Sequence, residues 1–207
     1  MDFESYILKL KDDLTANDKI ELISFHCSEP VSKEQYAACL QRFKLFIPQV
    51  VADFYSVCNG LQVRWRKKKK ENLYEEEIKA AGNSFKWDWP AEHYWQLDGL
   101  INILPLEQFL FGEYKDFMWF EYEEKYNINF MNNQINLREF KQRLRPFDVF
   151  DKYYTVAGYA TTDAFYMLLG DDHNADFMHY VPISAEKYFE QLFLTKGAVK
   201  KRPDFFK

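Results

Sequence analysis

The densest set of side chains able to do chemistry is Asp171, Asp172, His173, Asp176 and His179, where oxygen and imidazole donors fall within nine positions. Such donors are ligands for a divalent metal ion. The spacing fits no established metal motif, however, and Gly170 to Ala175 has the composition of a polar hairpin turn. Asp and Asn are favoured there because their side chains bond the neighbouring backbone. The turn accounts for the same residues with no ion, and no metal or cofactor is expected.

Glu121, Glu123 and Glu124 form a second group. Acid–base chemistry needs two carboxyl groups whose pKa values are driven apart by burial or repulsion. Strand alternation puts Glu121 and Glu123 on one face with Tyr122 opposite, which reads as a solvated face. His26 and His93 have no nucleophile beside them in sequence, and the chain has neither a phosphate-cradling glycine loop nor a nucleophile elbow. Cys27, Cys39 and Cys58 are odd in number and lack close metal-type spacing. They read as buried thiols in a reducing compartment. With no catalytic set, the chain is expected to bind another protein and not to be an enzyme.

Charge indicates what kind of partner. The formal net charge is -5, which leaves no general footprint for nucleic acid. Between Pro146 and Thr195, Asp148, Asp151, Asp163, Asp171, Asp172, Asp176, Glu186 and Glu190 stand against Lys152 and Lys187 alone. A field of this sign speeds capture of a basic partner and disfavours wrong ones, although simple solubility accounts for it equally. Asp148, Asp151, Asp171 and Asp172, with Glu121 and Glu123, are the candidate partner-binding residues. No apolar stretch approaches the ~18 to 20 residues that span a bilayer. The first residues lack the basic start and apolar middle of a secretory signal, so the expected address is the cytoplasm.

These groups need a scaffold, and 47% apolar residues with only seven Gly and seven Pro are enough for one tightly packed domain over 1–207. Phe3, Tyr6, Ile7, Leu10 and Leu14 recur at helical spacing. Ile20 to Cys27 fits a short buried helix or an extended segment, and helix is the preferred reading. Ser32 and Gln35 have the capping-box pattern before a helix from Lys33 to Phe46. Pro48 opens the next helix, with Val50, Val51, Phe54, Tyr55 and Cys58 as its apolar face, and Asn59-Gly60 ends it. Leu61, Val63 and Trp65 alternate with Gln62, Arg64 and Arg66 as a half-buried strand would. That strand runs into Lys67 to Lys70, a solvated hairpin end or mobile loop.

Further extended segments are Gly99–Leu104, Met118–Tyr122, Tyr153–Tyr159, Ala164–Leu169 and Phe177–Val181. Short helices are expected after Pro105 and after Asn136, the latter stopped by Pro146. A final helix is capped by Ser184, and a basic tail follows around Lys200 to Arg202. Hairpin spacing between late strands leaves no room for crossover helices. The fold class is therefore α+β: a mainly antiparallel sheet with N-terminal helices and a C-terminal helix packed around it. Glu71 to Asp98, with Phe85, Trp87, Trp89, Tyr94 and Trp95, reads as an aromatic-rich insertion that packs over the sheet edge or exposes a sticky surface.

The run Ile47-Pro48 through Phe54-Tyr55 to Asn59-Gly60, followed by a strand, resembles the SUKH superfamily. Gly99 to Leu110 is similar to that family's strand and its Pro-Leu-Glu turn into a helix. Arg145-Pro146-Phe147-Asp148 and the closing meander with its terminal helix are similar to its second half, so the resemblance covers about Ser32 to Thr195. It implies a non-catalytic binding protein: a bacterial immunity protein that silences a cognate polymorphic toxin, many of which are nucleases, or a scaffold of the fungal regulator kind. The implied partner is a toxin with a basic surface, bound through a sheet face and its loops.

Overall fold

A computed structural model describes residues 1–68, 97–112, 127–131, 133–150, 154–171 and 181–207. In chain order these form α1 (Phe3–Ala16), β1 (Ile20–Cys27), α2 (Lys33–Phe43), α3 (Gln49–Tyr55), β2 (Leu61–Lys67), β3 (Gly99–Ile103) and α4 (Leu106–Phe111). There follow β4 (Asn127–Phe130), β5 (Asn133–Asn136), α5 (Leu137–Arg143), β6 (Leu144–Val149), β7 (Tyr154–Ala160), β8 (Phe165–Asp171), α6 (Ala185–Leu194) and a 3₁₀ segment, Val199–Phe206. Six strands make one antiparallel sheet in the order β1-β2-β3-β6-β7-β8, and β4 and β5 form a separate hairpin. The chain is thus α+β, as its strand spacing implies.

One face of the sheet is buried under helices. Leu61 and Val63 of β2, Ile101 and Ile103 of β3, Val156 of β7 and Met167 and Leu169 of β8 share a single apolar cluster with the inner stripes of α1, α3, α4 and α6. Its centre is aromatic: the Phe3 ring meets Phe54 and Phe189 edge-on, and Phe109 meets Phe147 in the same way. Such contacts add about 0.5–1.5 kcal/mol each beyond the area they bury.

The opposite face is divided. Over β6 to β8, Ala157, Tyr159 and Leu168 carry a second apolar cluster completed by Phe130 of the hairpin and Leu137 and Phe140 of α5. Over β1 to β3 the same face is polar, with Gln62, Arg64 and Arg66 alternating against the apolar residues of β2.

Three element readings change. Ile20–Cys27 is the edge strand β1, not a helix, and pairs along its whole length with β2. A bulge between Leu22 and Ser24 breaks the two-residue alternation, so that Leu22 and Phe25 both lie opposite core-facing residues, Trp65 and Val63. Their spacing of three then imitates a helix. Pro146 does not merely end α5; it lies within β6, at a register shift before Asp148, where a missing N–H is tolerated. Helix α2 also stops at Phe43, because Lys44 takes a left-handed conformation (φ 58°) and donates to Leu40 O; Phe46, now 44% exposed, instead donates its N–H to Thr161 O at 2.8 Å.

The expected caps form. Ser32 Oγ accepts from Gln35 N–H while Gln35 Oε1 accepts from Ser32 N–H, and Ser184 accepts from Lys187 N–H. Gly60 has the positive φ (100°) that the turn from α3 into β2 requires. Asn59 reaches further: its Oδ1 accepts the Leu106 N–H at 2.9 Å, capping α4, and Tyr55 OH donates to Leu104 O at 2.9 Å. The Asn-Gly corner and the Pro-Leu-Glu corner, 47 residues apart, are thereby clasped together. Met118–Tyr122, Phe177–Tyr180 and most of the aromatic stretch before Asp98 lie outside the described residues.

Candidate functional site

Asp148 is the one expected partner contact whose side chain the structure describes, and it corrects the expectation. It is fully buried. The bulge after Pro146 turns it into the helix-covered side of the sheet, where Oδ1 accepts the Asn102 N–H at 2.8 Å. Oδ2 accepts from Arg202 Nη1 and from Tyr188 OH, both at 2.6 Å. Arg202 is itself fully buried, so the end of the supposed basic tail is an internal ion pair. It also donates to Leu100 O at 2.8 Å, contacts the Tyr188 hydroxyl and lies over the Phe150 ring.

Burial alone would lower the Arg202 pKa, but the Asp148 charge and Tyr188 outweigh it and the net shift is upward. Burial drives the Tyr188 hydroxyl well above its ordinary value of 10. Arg202 therefore stays charged and Tyr188 neutral at physiological pH. Together with Asp148 they form a buried structural clamp.

None of the other expected partner carboxylates has a described side chain. Asp171 ends β8 opposite Tyr154, and only its backbone is described. Glu121, Glu123, Asp151 and Asp172 lie outside the described residues, as do Glu124, His173, Asp176 and His179. Among the described residues no three His, Cys, Asp or Glu side chains converge to hold a metal ion.

Two unforeseen features come together near β1. The first is the polar half-face: Gln62, Arg64 and Arg66 do not face water as a half-buried strand implied, but are as enclosed as their apolar neighbours. Gln62 Nε2 donates to Asn102 Oδ1 at 3.0 Å, Asn102 Nδ2 donates to Val149 O at 3.0 Å, and Arg66 Nε donates to Glu21 Oε2 at 2.7 Å. Amide and guanidinium groups held this way can position hydrogen-bonding partners but cannot act as acids or bases near neutral pH. The alternation in β2 was visible in sequence; what covers each face was not.

The second feature is an open groove of about 580 Å³ between α1 and the end of β1, bounded by Ile7, Leu8 and Lys11 on one side and Phe25, His26 and Cys27 on the other. His26 Nε2 lies 3.0 Å from Ser28 Oγ, a contact two residues apart at an exposed strand end. Cys27 is disulfide-bonded to Cys58, which corrects the expectation of three free thiols; only Cys39 is free. A separation of 31 residues carries no pairing signal, and the two meet because β2 runs back antiparallel to β1.

No helix of the described residues is long and apolar enough to cross a membrane. Comparison with known protein families, curated proteins and solved structures finds no match to this chain.

Proposed function

We propose that this protein is an immunity protein of the SUKH kind, acting in the cytoplasm, that binds a cognate polymorphic toxin and neutralises it by occluding its functional surface. The observation that carries this reading is the bond from Leu106 N–H to Asn59 Oδ1. It joins the two sequence segments on which the resemblance chiefly rests, which supports treating them as parts of one fold signature and not as chance words. The third segment of the resemblance, Arg145 to Asp148, supplies the buried carboxylate of the clamp.

Electrostatic capture of a basic toxin surface would draw on the acidic stretch after Pro146, now without Asp148. The test is co-expression with the toxin domain encoded beside its gene, a nuclease-type domain first, with growth and direct binding as readouts. Protection together with a stable one-to-one complex is the expected result. Binding to several host proteins with no protection against any neighbouring toxin would instead favour a regulatory scaffold and overturn the immunity reading.

A further inference from the structure

The Cys27–Cys58 pair is held by more than its own bond. Cys27 lies at the exposed end of β1 opposite Leu61, and Cys58 is fully buried just after α3. Their Cα atoms are 5.6 Å apart, inside the range that a disulfide requires. On either side, Ser28 N–H donates to Gly60 O and Asn59 N–H donates to Ser28 O, each at 3.2 Å. Val31 N–H donates to Tyr55 O at 2.9 Å. The backbone thus keeps the two cysteines together whether or not the sulfurs are joined.

The reduced state is provided for as well. Cys58 Sγ lies 3.0 Å from Gly60 O, and Cys27 Sγ lies 3.8 Å from Ser28 O. The buried thiol has a carbonyl to accept its proton, and opening the bond leaves no stranded polar group in the core. Only Cys27 meets solvent, and it does so in the groove beside Lys11, His26 and Glu4.

We propose that Cys27–Cys58 is a reversible thiol–disulfide exchange site, entered through Cys27, whose reaction partner is a dithiol reductant. A thiolate of the reductant attacks Cys27 Sγ and forms a mixed disulfide; the Cys27–Cys58 bond breaks and Cys58 leaves as thiolate, taking up a proton. The second thiol of the reductant then attacks its own sulfur in the mixed disulfide and releases Cys27. Two electrons pass to the protein and the reductant becomes a disulfide; the same steps in reverse reoxidise the pair. Such a pair suits a reducing compartment, where a permanent crosslink does not.

The test uses the full wild-type chain without denaturant, equilibrated across ratios of reduced to oxidised dithiothreitol, quenched with an alkylating agent and mapped by peptide mass. Cys27 and Cys58 are expected to become alkylated together as the ratio rises, with Cys39 unchanged across the series and the circular dichroism of the fold retained. Three results would each overturn the proposal: a bond that opens only in denaturant, both cysteines alkylated even under oxidising conditions, or loss of the fold on reduction. Entry is tested with glutathione disulfide, which should add one glutathione to Cys27 in Cys58→Ser and none to Cys58 in Cys27→Ser. Equal labelling of Cys58 would overturn the assignment of Cys27 as the point of attack.

Discussion

Among single residues, Asp148 differs most from its sequence reading. A carboxylate in an acidic stretch is ordinarily solvated, and nothing in Arg145 to Asp148 tells which way the side chain turns. The outcome depends on the bulge at Pro146 and on Arg202, 54 residues later, entering the same space. Breaking a buried pair from one side leaves an uncompensated charge, so Asp148→Ala and Arg202→Met should each cost roughly 3–5 kcal/mol. Removing both should cost less than the sum, because neither charge is then stranded. Urea unfolding of the two single variants and the double variant checks this. A loss under about 1 kcal/mol in both singles would show that the pair contributes little beyond packing.

At the scale of elements, the side-chain caps are the signals that neighbouring residues settle. The Ser32–Gln35 box needs only its own turn. Helix α4 is different, since its cap is Pro105 with no side-chain bond of its own and Asn59 supplies the missing acceptor. Asn59→Ala should therefore destabilise by about 0.5–2 kcal/mol, as the loss of a local cap does. It should also raise hydrogen exchange at the Leu106 amide. Exchange there unchanged from the wild type would show that this bond does not hold the two corners. Strand β6 went unread for the reason that β1 was misread, because a bulge or an internal proline blurs the two-residue period on which a strand assignment relies. The hairpin β4–β5 is regular, but its strands are four residues long and rich in Asn, which strands disfavour.

For the molecule as a whole, the buried tyrosines set an alkaline limit. Tyr55 and Tyr188 have pKa values raised well above 10 by burial, and burial together with the Asp53 charge pushes Tyr36 up to about 12. The unfolded chain ionises these hydroxyls near pH ~10 while the folded chain still holds their protons. Their stabilising contribution is complete below that pH and is lost as pH rises through the folded values. The denaturant midpoint should thus hold steady up to pH ~10 and then fall. Tyr55→Phe should be less stable at neutral pH, having lost its bond to Leu104 O, yet show a shallower alkaline decline. An undiminished slope would mean that other groups drive the loss.

Periodicity, caps and turn residues determined the α+β class, the helices α1 to α6, and strands β2, β3, β7 and β8, because each depends on residues a few positions apart. Everything that depends on which strand lies beside which was decided only in the folded chain. Antiparallel pairing of β1 with β2 brought Cys27 to Cys58, and the bulge in β6 buried Asp148 against Arg202. Arg64 and Arg66, which alternation alone had assigned to water, are buried in the folded chain. Local sequence encodes a side chain's spacing along its own element; its burial and its partners belong to the surfaces that distant segments bring against it.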